Sequence, residues 1–240
     1  MLSSKNVNVQ PASNYGPSKY LGVGNHIVNV RGIELQEAKY DSGTNRPDVA
    51  LVLHLEGPDQ GPDFEGAPRD WDNPAKGTYK GQFAKVKIQP YNFTDNPTRS
   101  GNARNRDEDA VRAITILAEN LGVRDQLDQI QANTLEEYVQ MSNHVISSSD
   151  VTLSVVVGGK VYFREVDGEY RKRYDYYLPI TSKGFRAYAT EAMSDKVETF
   201  NADKHVYISE DNKRIEESLK SGNVTSEKQE SADVNWEFDV

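Results

Sequence analysis

Five strand-like stretches, with a helical stretch between the third and the fourth, restrict what this chain can fold into. Val49, Leu51, Leu53 and Leu55 alternate with Ala50, Val52, His54 and Glu56, the period of two that a strand imposes. Ahead of them, His26 to Leu35 places Ile27, Ile33 and Leu35 on one parity and Val28 and Val30 on the other, a strand apolar on both sides over part of its length. The turn cluster Asp41 to Pro47 joins the two as a hairpin. Gln82 to Tyr91 alternates again, with Ala84, Val86 and Ile88 on one face and Phe83, Lys85, Lys87 and Tyr91 on the other. Asp107 to Leu121 then reads as a helix: acids fill its first turn, Ala110, Ile114, Leu117 and Leu121 follow the 3-4 rhythm, and Gly122 stops it. Thr134 and Glu137 are spaced as a capping box that opens a second, short helix through Tyr138 and Met141. Val151 to Phe163, interrupted by Gly158-Gly159, and Tyr170 to Ile180, after an Asp167-Gly168 turn, supply the last two strands. This order predicts a mainly β chain with inserted helices: an OB-fold, the five-stranded Greek-key barrel with its helix between strands 3 and 4.

At 240 residues the chain has room for one elaborated domain with appendages. The expected division is a flexible arm over 1–20, an OB-fold domain over 21–208 with a long loop at 57–81 and a helical insertion at 105–145, and a disordered acidic tail over 209–240. Gly57-Pro58-Asp59, Gly61-Pro62-Asp63, Ala67-Pro68 and Asn73-Pro74 keep the long loop from running as a helix or pairing along a sheet, so it is functional or floppy. Cysteine is absent, which removes disulfides, thiolate zinc sites and cysteine nucleophiles. Zinc-protease, EF-hand, Walker and nucleophile-elbow patterns are absent too, so neither catalysis nor a metal or cofactor is expected. His54 reads as a packed or edge residue, and His144 and His205 have no second ligand at metal spacing. No apolar run approaches the roughly 18 residues of a membrane span, and Met1 to Pro17 lacks the pattern of a signal peptide. A soluble, intracellular protein without a membrane partner is expected.

Charge argues in two directions. The chain carries 28 Lys and Arg against 37 Asp and Glu, a net of −9 that does not favour a polyanionic partner. Ser209 to Val240, however, holds nine acids and four bases, −5 of that total, so the remainder is close to neutral and has room for one basic face. Single strands are held where cations meet phosphates and aromatic faces meet bases. Phe83, Lys85, Lys87 and Tyr91 offer that mixture on the third strand; Lys160, Tyr162, Arg164, Arg171, Lys172, Arg173, Tyr174 and Tyr176 offer it again on the last hairpin. Alternation puts Tyr170, Lys172, Tyr174 and Tyr176 on one side of the final strand and Arg171, Arg173 and Tyr177 on the other, so one set is expected to face a groove. The competing explanation is that these are ordinary strand aromatics with bases that blunt a sheet edge.

The terminus alternates as well. Asp233, Val234, Asn235, Trp236, Glu237, Phe238, Asp239 and Val240 mix acids with bulky apolar side chains, which a mere solubiliser has no use for, and Asp233, Trp236, Glu237, Phe238, Asp239 and Val240 are expected to dock a partner protein. With these features the chain resembles the single-stranded-DNA-binding proteins encoded by bacteriophages, which pair an OB-fold core with an acidic C-terminal tail. The resemblance rests on Tyr20-Leu21-Gly22-Val23 leading into Gly24-Asn25-His26-Ile27-Val28, on Val155-Val156-Val157-Gly158-Gly159-Lys160 with the tyrosine-rich strand after it, and on the terminus. It spans residues 20–190 loosely, plus the tail. The tail lacks the Pro-Phe ending of the bacterial proteins, and the absence of cysteine excludes the zinc subdomain of some phage members. The resemblance implies a non-catalytic protein that coats single-stranded DNA during phage replication, recombination and repair in the cytoplasm of the infected bacterial host. Its tail would recruit replication or recombination proteins and compete with DNA for the groove. Two other classes stand beside it: a phage structural or packaged accessory protein that uses the barrel for protein contacts, and a nuclease or polysaccharide-processing enzyme that uses Asp59, Asp63, Glu65, Asp70 and Asp72.

Overall fold

The alternating segments pair with one another in the computed structural model, which describes residues 18–38, 46–95, 105–166 and 168–221. Strands β1 (Gly24–Glu37) and β2 (Val49–Glu56) run antiparallel, with Leu35 opposite Leu51, Ile33 opposite Leu53 and Val30 opposite Leu55, so both give one apolar parity to a common core. The pairing slips between Val30 and Gly32. At that bulge the Ile33 N–H donates to Asn143 Oδ1 at 2.8 Å, and a Cβ on Gly32 would stand 2.7 Å from the same oxygen, so a side chain there would push the Asn143 amide aside. Strand β3 (Phe83–Lys87) pairs antiparallel with β2 and ends four residues before Tyr91, because Pro90 has no N–H for a ladder.

Strands β4 (Thr152–Val166) and β5 (Glu169–Tyr177) form the last hairpin, turning at Gly168 with φ +80°. The Gly158-Gly159 pair does not interrupt β4. Glycine lets other groups close on the strand there, since a Cβ would lie 2.6 Å from the His205 carbonyl oxygen at position 158 and 2.8 Å from both Tyr174 and Val23 at 159. Antiparallel pairing of β4 with β1 and one parallel pair between β3 and β5 join five strands in a ring, β1-β2-β3-β5-β4 and back to β1. Short strands β6 (Tyr188–Thr190) and β7 (Val206–Ile208) add to β4, the first antiparallel and the second parallel.

Between β3 and β4 lie α1 (Arg106–Asn120), α2 (Arg124–Leu127) and α3 (Leu135–Ser147). Asn105 caps α1 by accepting from the N–H groups of Asp107 and Glu108, and Gly122 ends it at φ +68°. Thr134 Oγ1 accepts from the Glu137 N–H at 3.1 Å, the expected cap, while the Glu137 carboxylate reaches one residue further, to the Asn133 N–H. Ile114, Leu117 and Leu121 from the α1 region, Leu127, Val139 and Ile146 share one buried cluster with Leu51, Leu53, Leu55, Val86 and Val155. Beyond the short helix α4 (Ala202–His205), residues Glu210–Ser221 form helix α5, where the sequence reading starts a disordered tail at 209. Asn212 Nδ2 donates to the Val161 carbonyl at 3.2 Å and Lys172 Nζ meets Glu216 at 2.8 Å, contacts that draw α5 onto the last hairpin. Among the described residues no helix is long and apolar enough to cross a membrane.

Candidate nucleic-acid interface

The ring is thinnest where β3 meets β5. Lys87 and Tyr177 are its one strand pair there, extended by a hydrogen bond of 2.8 Å from the Leu178 N–H to the Lys87 carbonyl. From Glu169 to Tyr176, β5 pairs with β4 along one edge and with no described strand along the other. On β3, Phe83 is engaged by the incoming chain, its N–H donating to the Lys19 carbonyl at 3.0 Å and its carbonyl accepting from the Leu21 N–H at 3.0 Å. The expected arm over 1–20 therefore ends in a fixed segment, since Tyr20 forms a bridge with Phe83. A cleft of about 580 Å³ occupies the gap left between these contacts.

Nine of the expected residues line it: Phe83, Lys85 and Lys87 from β3, Tyr162 and Arg164 from β4, and Lys172, Arg173, Tyr174 and Tyr176 from β5. The expectation that a single parity of β5 would face a groove is corrected. Lys172, Tyr174 and Tyr176 line the cleft together with Arg173 and Asp175, because β5 turns an unpaired edge toward it and both parities contribute atoms along an edge. Tyr174 and Tyr176 stack on each other with ring centres 5.9 Å apart, and Lys172 Nζ lies 5.8 Å from the Tyr174 ring centre. Phe83 is buried and stacked at 4.3 Å on Tyr79, so it floors the cleft and is not an open platform. Three expected residues lie elsewhere. Tyr91, past the end of β3, lines a separate hollow with Gln89, Asp109, Arg112 and Ile116; Lys160 and Arg171 are exposed on the hairpin outside the lining. Asp233, Trp236, Glu237, Phe238, Asp239 and Val240 lie outside the described residues.

The lining holds five bases, Lys85, Lys87, Arg164, Lys172 and Arg173, against one acid, Asp175, in a chain of net charge −9. Lys85 and Lys172 are each held by a carboxylate of the protein. Lys85 Nζ lies 3.2 Å from Glu34 Oε1, and Glu34 Oε2 lies 3.1 Å from His54 Nε2. Burial alone would raise the Glu34 carboxyl, but the hydrogen bond and charge of His54, together with the Lys85 ammonium, outweigh it and hold the group at about 2. The hydrogen bond from Lys172 to Glu216 raises the lysine and lowers the acid, so both stay charged. Burial pushes the Lys87 ammonium down, with Asp175 opposing that shift and Lys160 adding to it. Burial also raises the Tyr162 and Tyr176 phenols, which remain neutral rings at pH 7. The register of the hairpin then sets Arg164 directly opposite Arg171, and Tyr162 opposite Arg173. None of these three arginines pairs with a described acid.

The alternation singles out neither Tyr20 nor Trp71, and both line the cleft. A tryptophan between two aspartates inside a Gly/Pro loop was the available signal for Trp71. Two of the loop acids serve the loop itself, and a third ties it to the incoming chain: Asp59 Oδ1 accepts from the Gly61 N–H at 2.8 Å, Asp70 accepts from the Asp72 and Asn73 N–H groups and pairs with Lys76, and Glu65 lies 3.2 Å from Lys19 Nζ. Among the described residues no three His, Asp or Glu side chains gather as metal ligands. His205 is buried, with Nδ1 accepting from the Asn201 N–H, and burial lowers its pKa toward the neutral ring. No family model matches the chain, and neither curated proteins nor solved structures give a significant match.

Proposed function

We propose that the cleft between β3 and β5 binds single-stranded nucleic acid, without catalysis and with little sequence preference, as the resemblance to phage single-stranded-DNA-binding proteins implies. The observation that carries this is the lining itself: five cations for phosphates beside the rings of Tyr162, Tyr174 and Tyr176, in a chain whose other charge is acidic. Arg164 opposite Arg171 supports it, because like charges directly across a ladder destabilise a hairpin and an anion relieves them. The ring order β1-β2-β3-β5-β4, with helices between β3 and β4, supports reading the five strands as an OB-fold barrel. The acidic C-terminal segment is then the recruiter of replication or recombination proteins, and the cytoplasm of an infected bacterium the place of work.

Titration of the protein into labelled oligo-dT and into a duplex of equal length tests the proposal. Single strands should bind more tightly, with log affinity falling linearly with log salt at a slope of about −0.7 per phosphate neutralised. Equal affinity for both forms, or no signal with either, would leave the cleft without this function and favour a structural protein. Loss of labelled strand in the presence of a divalent ion would instead reveal an enzyme.

A further inference from the structure

The loop expected to be functional or floppy is a built wall. Arg69 N–H donates to the Gly77 carbonyl at 2.8 Å and Tyr79 N–H to the Ala67 carbonyl at 2.8 Å, which makes 67–79 a narrow hairpin with Trp71 in its tip. At that tip Asp70 Oδ1 accepts from the N–H groups of Asp72 and Asn73, fixing the backbone just past Trp71. The base is fixed as firmly. Glu56, 3% exposed, accepts from the N–H groups of Lys80 and Gly81 and pairs with Arg31, and a Cβ on Gly66 would lie 1.8 Å from the Tyr79 carbonyl oxygen. Ala67, Tyr79 and Phe83 pack as a small core beneath it.

This rigid hairpin leaves Trp71 39% exposed while lining the cleft that Tyr162, Tyr174 and Tyr176 also line. Trp71 shares the cleft with the five bases and with the rings of Tyr162, Tyr174 and Tyr176, and a ring on a fixed hairpin loses little entropy when a flat ligand stacks on it. We infer that Trp71 is a second stacking platform of the cleft, so that an unpaired base is held by the loop wall as well as by the β4–β5 hairpin. The inference rests on the proposed binding of single strands and adds to it a residue, a loop and a reason for single-strand preference. A base still paired in a duplex has its faces covered by its neighbours and offers none to Trp71.

The test uses the full chain with Trp236→Phe, which leaves Trp71 as the single tryptophan. A fluorescein-labelled oligo-dT reports binding by anisotropy while indole emission reports Trp71. Emission should be quenched with the same midpoint as the anisotropy rise. Trp71→Ala should weaken binding roughly five- to 150-fold, the equivalent of about 1–3 kcal/mol for one stack, with the salt slope unchanged because no charge is lost, and Trp71→Phe should recover most of it. An anisotropy rise with flat emission and wild-type affinity in Trp71→Ala overturns this inference and leaves the binding proposal standing. No anisotropy change with the wild-type chain overturns both.

Discussion

Lys85 and Lys172 each reach the cleft already holding a carboxylate, Glu34 and Glu216 respectively, whereas Arg164 and Arg173 hold no described acid. A phosphate arriving at Lys85 must compete with Glu34, which remains ionised because its pKa is about 2. Replacing Glu34 by Gln should therefore tighten oligo-dT binding at low salt. Replacing Lys85 and Lys87 together by Ala should weaken it and reduce the salt slope by about 1.4 if each neutralises one phosphate. Anisotropy titrations across a salt series measure both, and an inert lysine pair would show that the strand passes along β5 alone. Tyr174→Ala belongs to the other class of contact, with an expected loss of about 1–3 kcal/mol and no change in slope.

At the scale of elements, the β4–β5 hairpin carries a conflict that the ring around it does not need. Arg171 faces Arg164 across the ladder, so Arg171→Gln should stabilise the free protein by about 0.2–1 kcal/mol in urea unfolding while weakening its hold on single strands. A loss of stability would mean that Arg171 has an anchoring role absent from its described contacts. Helix α5 shows the opposite economy. It buries none of its residues and meets the hairpin through Asn212 and Glu216, so its docking is chiefly polar and should loosen with salt. Glu216→Gln frees Lys172 and should tighten low-salt binding by no more than about 1 kcal/mol, the worth of an exposed pair. An effect of several kcal/mol would show that α5 covers more of the cleft than this one contact.

For the molecule as a whole, the three carboxyls lowered to about 2 couple folding to acid most strongly. The Arg46 hydrogen bond lowers Asp95 to about 2; in Glu198 burial acts upward, but Lys204 and Ser182 prevail and bring it to about 2; Glu34 stands at about 2 as well. Each binds its proton less readily folded than unfolded. The stability they contribute is thus present above their ordinary values of 3.8 to 4.5 and is lost as pH falls through about 2. Melting followed by circular dichroism should ease downward below about pH 6.5, where unfolding lets the buried His205 ring take up a proton, and drop steeply below about 4.5 as the three carboxyls protonate. A melting temperature that holds to pH 2 would place these pairs outside the energetics of folding. The net charge bears on binding in a similar way. Removing Ser226 to Val240 takes away five acids and one base, and should tighten single-strand binding most at 0.01 M salt, where the Debye length is about 30 Å.

Periodicity and caps are local, and where they act alone the sequence suffices. The whole of β2, the end of α1 at Gly122, and the Thr134 cap follow from residues within a few positions of each other, as does the basic and aromatic character of the final hairpin. Alternation also places Phe83, Lys85 and Lys87 together, but it cannot show that Phe83 is covered by Tyr79 or that Pro90 takes Tyr91 away from them. Composition describes a segment by what it lacks, so it reads 57–81 as a loop that is functional or floppy and the residues of α5 as part of a disordered tail. Glu56 beneath the loop and Val161 and Lys172 beneath the helix organise them from other strands. The cleft itself belongs to tertiary structure, because it exists where β3 and β5, far apart in the chain, meet at one pair instead of along their lengths. Strand pairing over that separation depends on the closure of the whole ring, a property that no window of neighbouring residues contains.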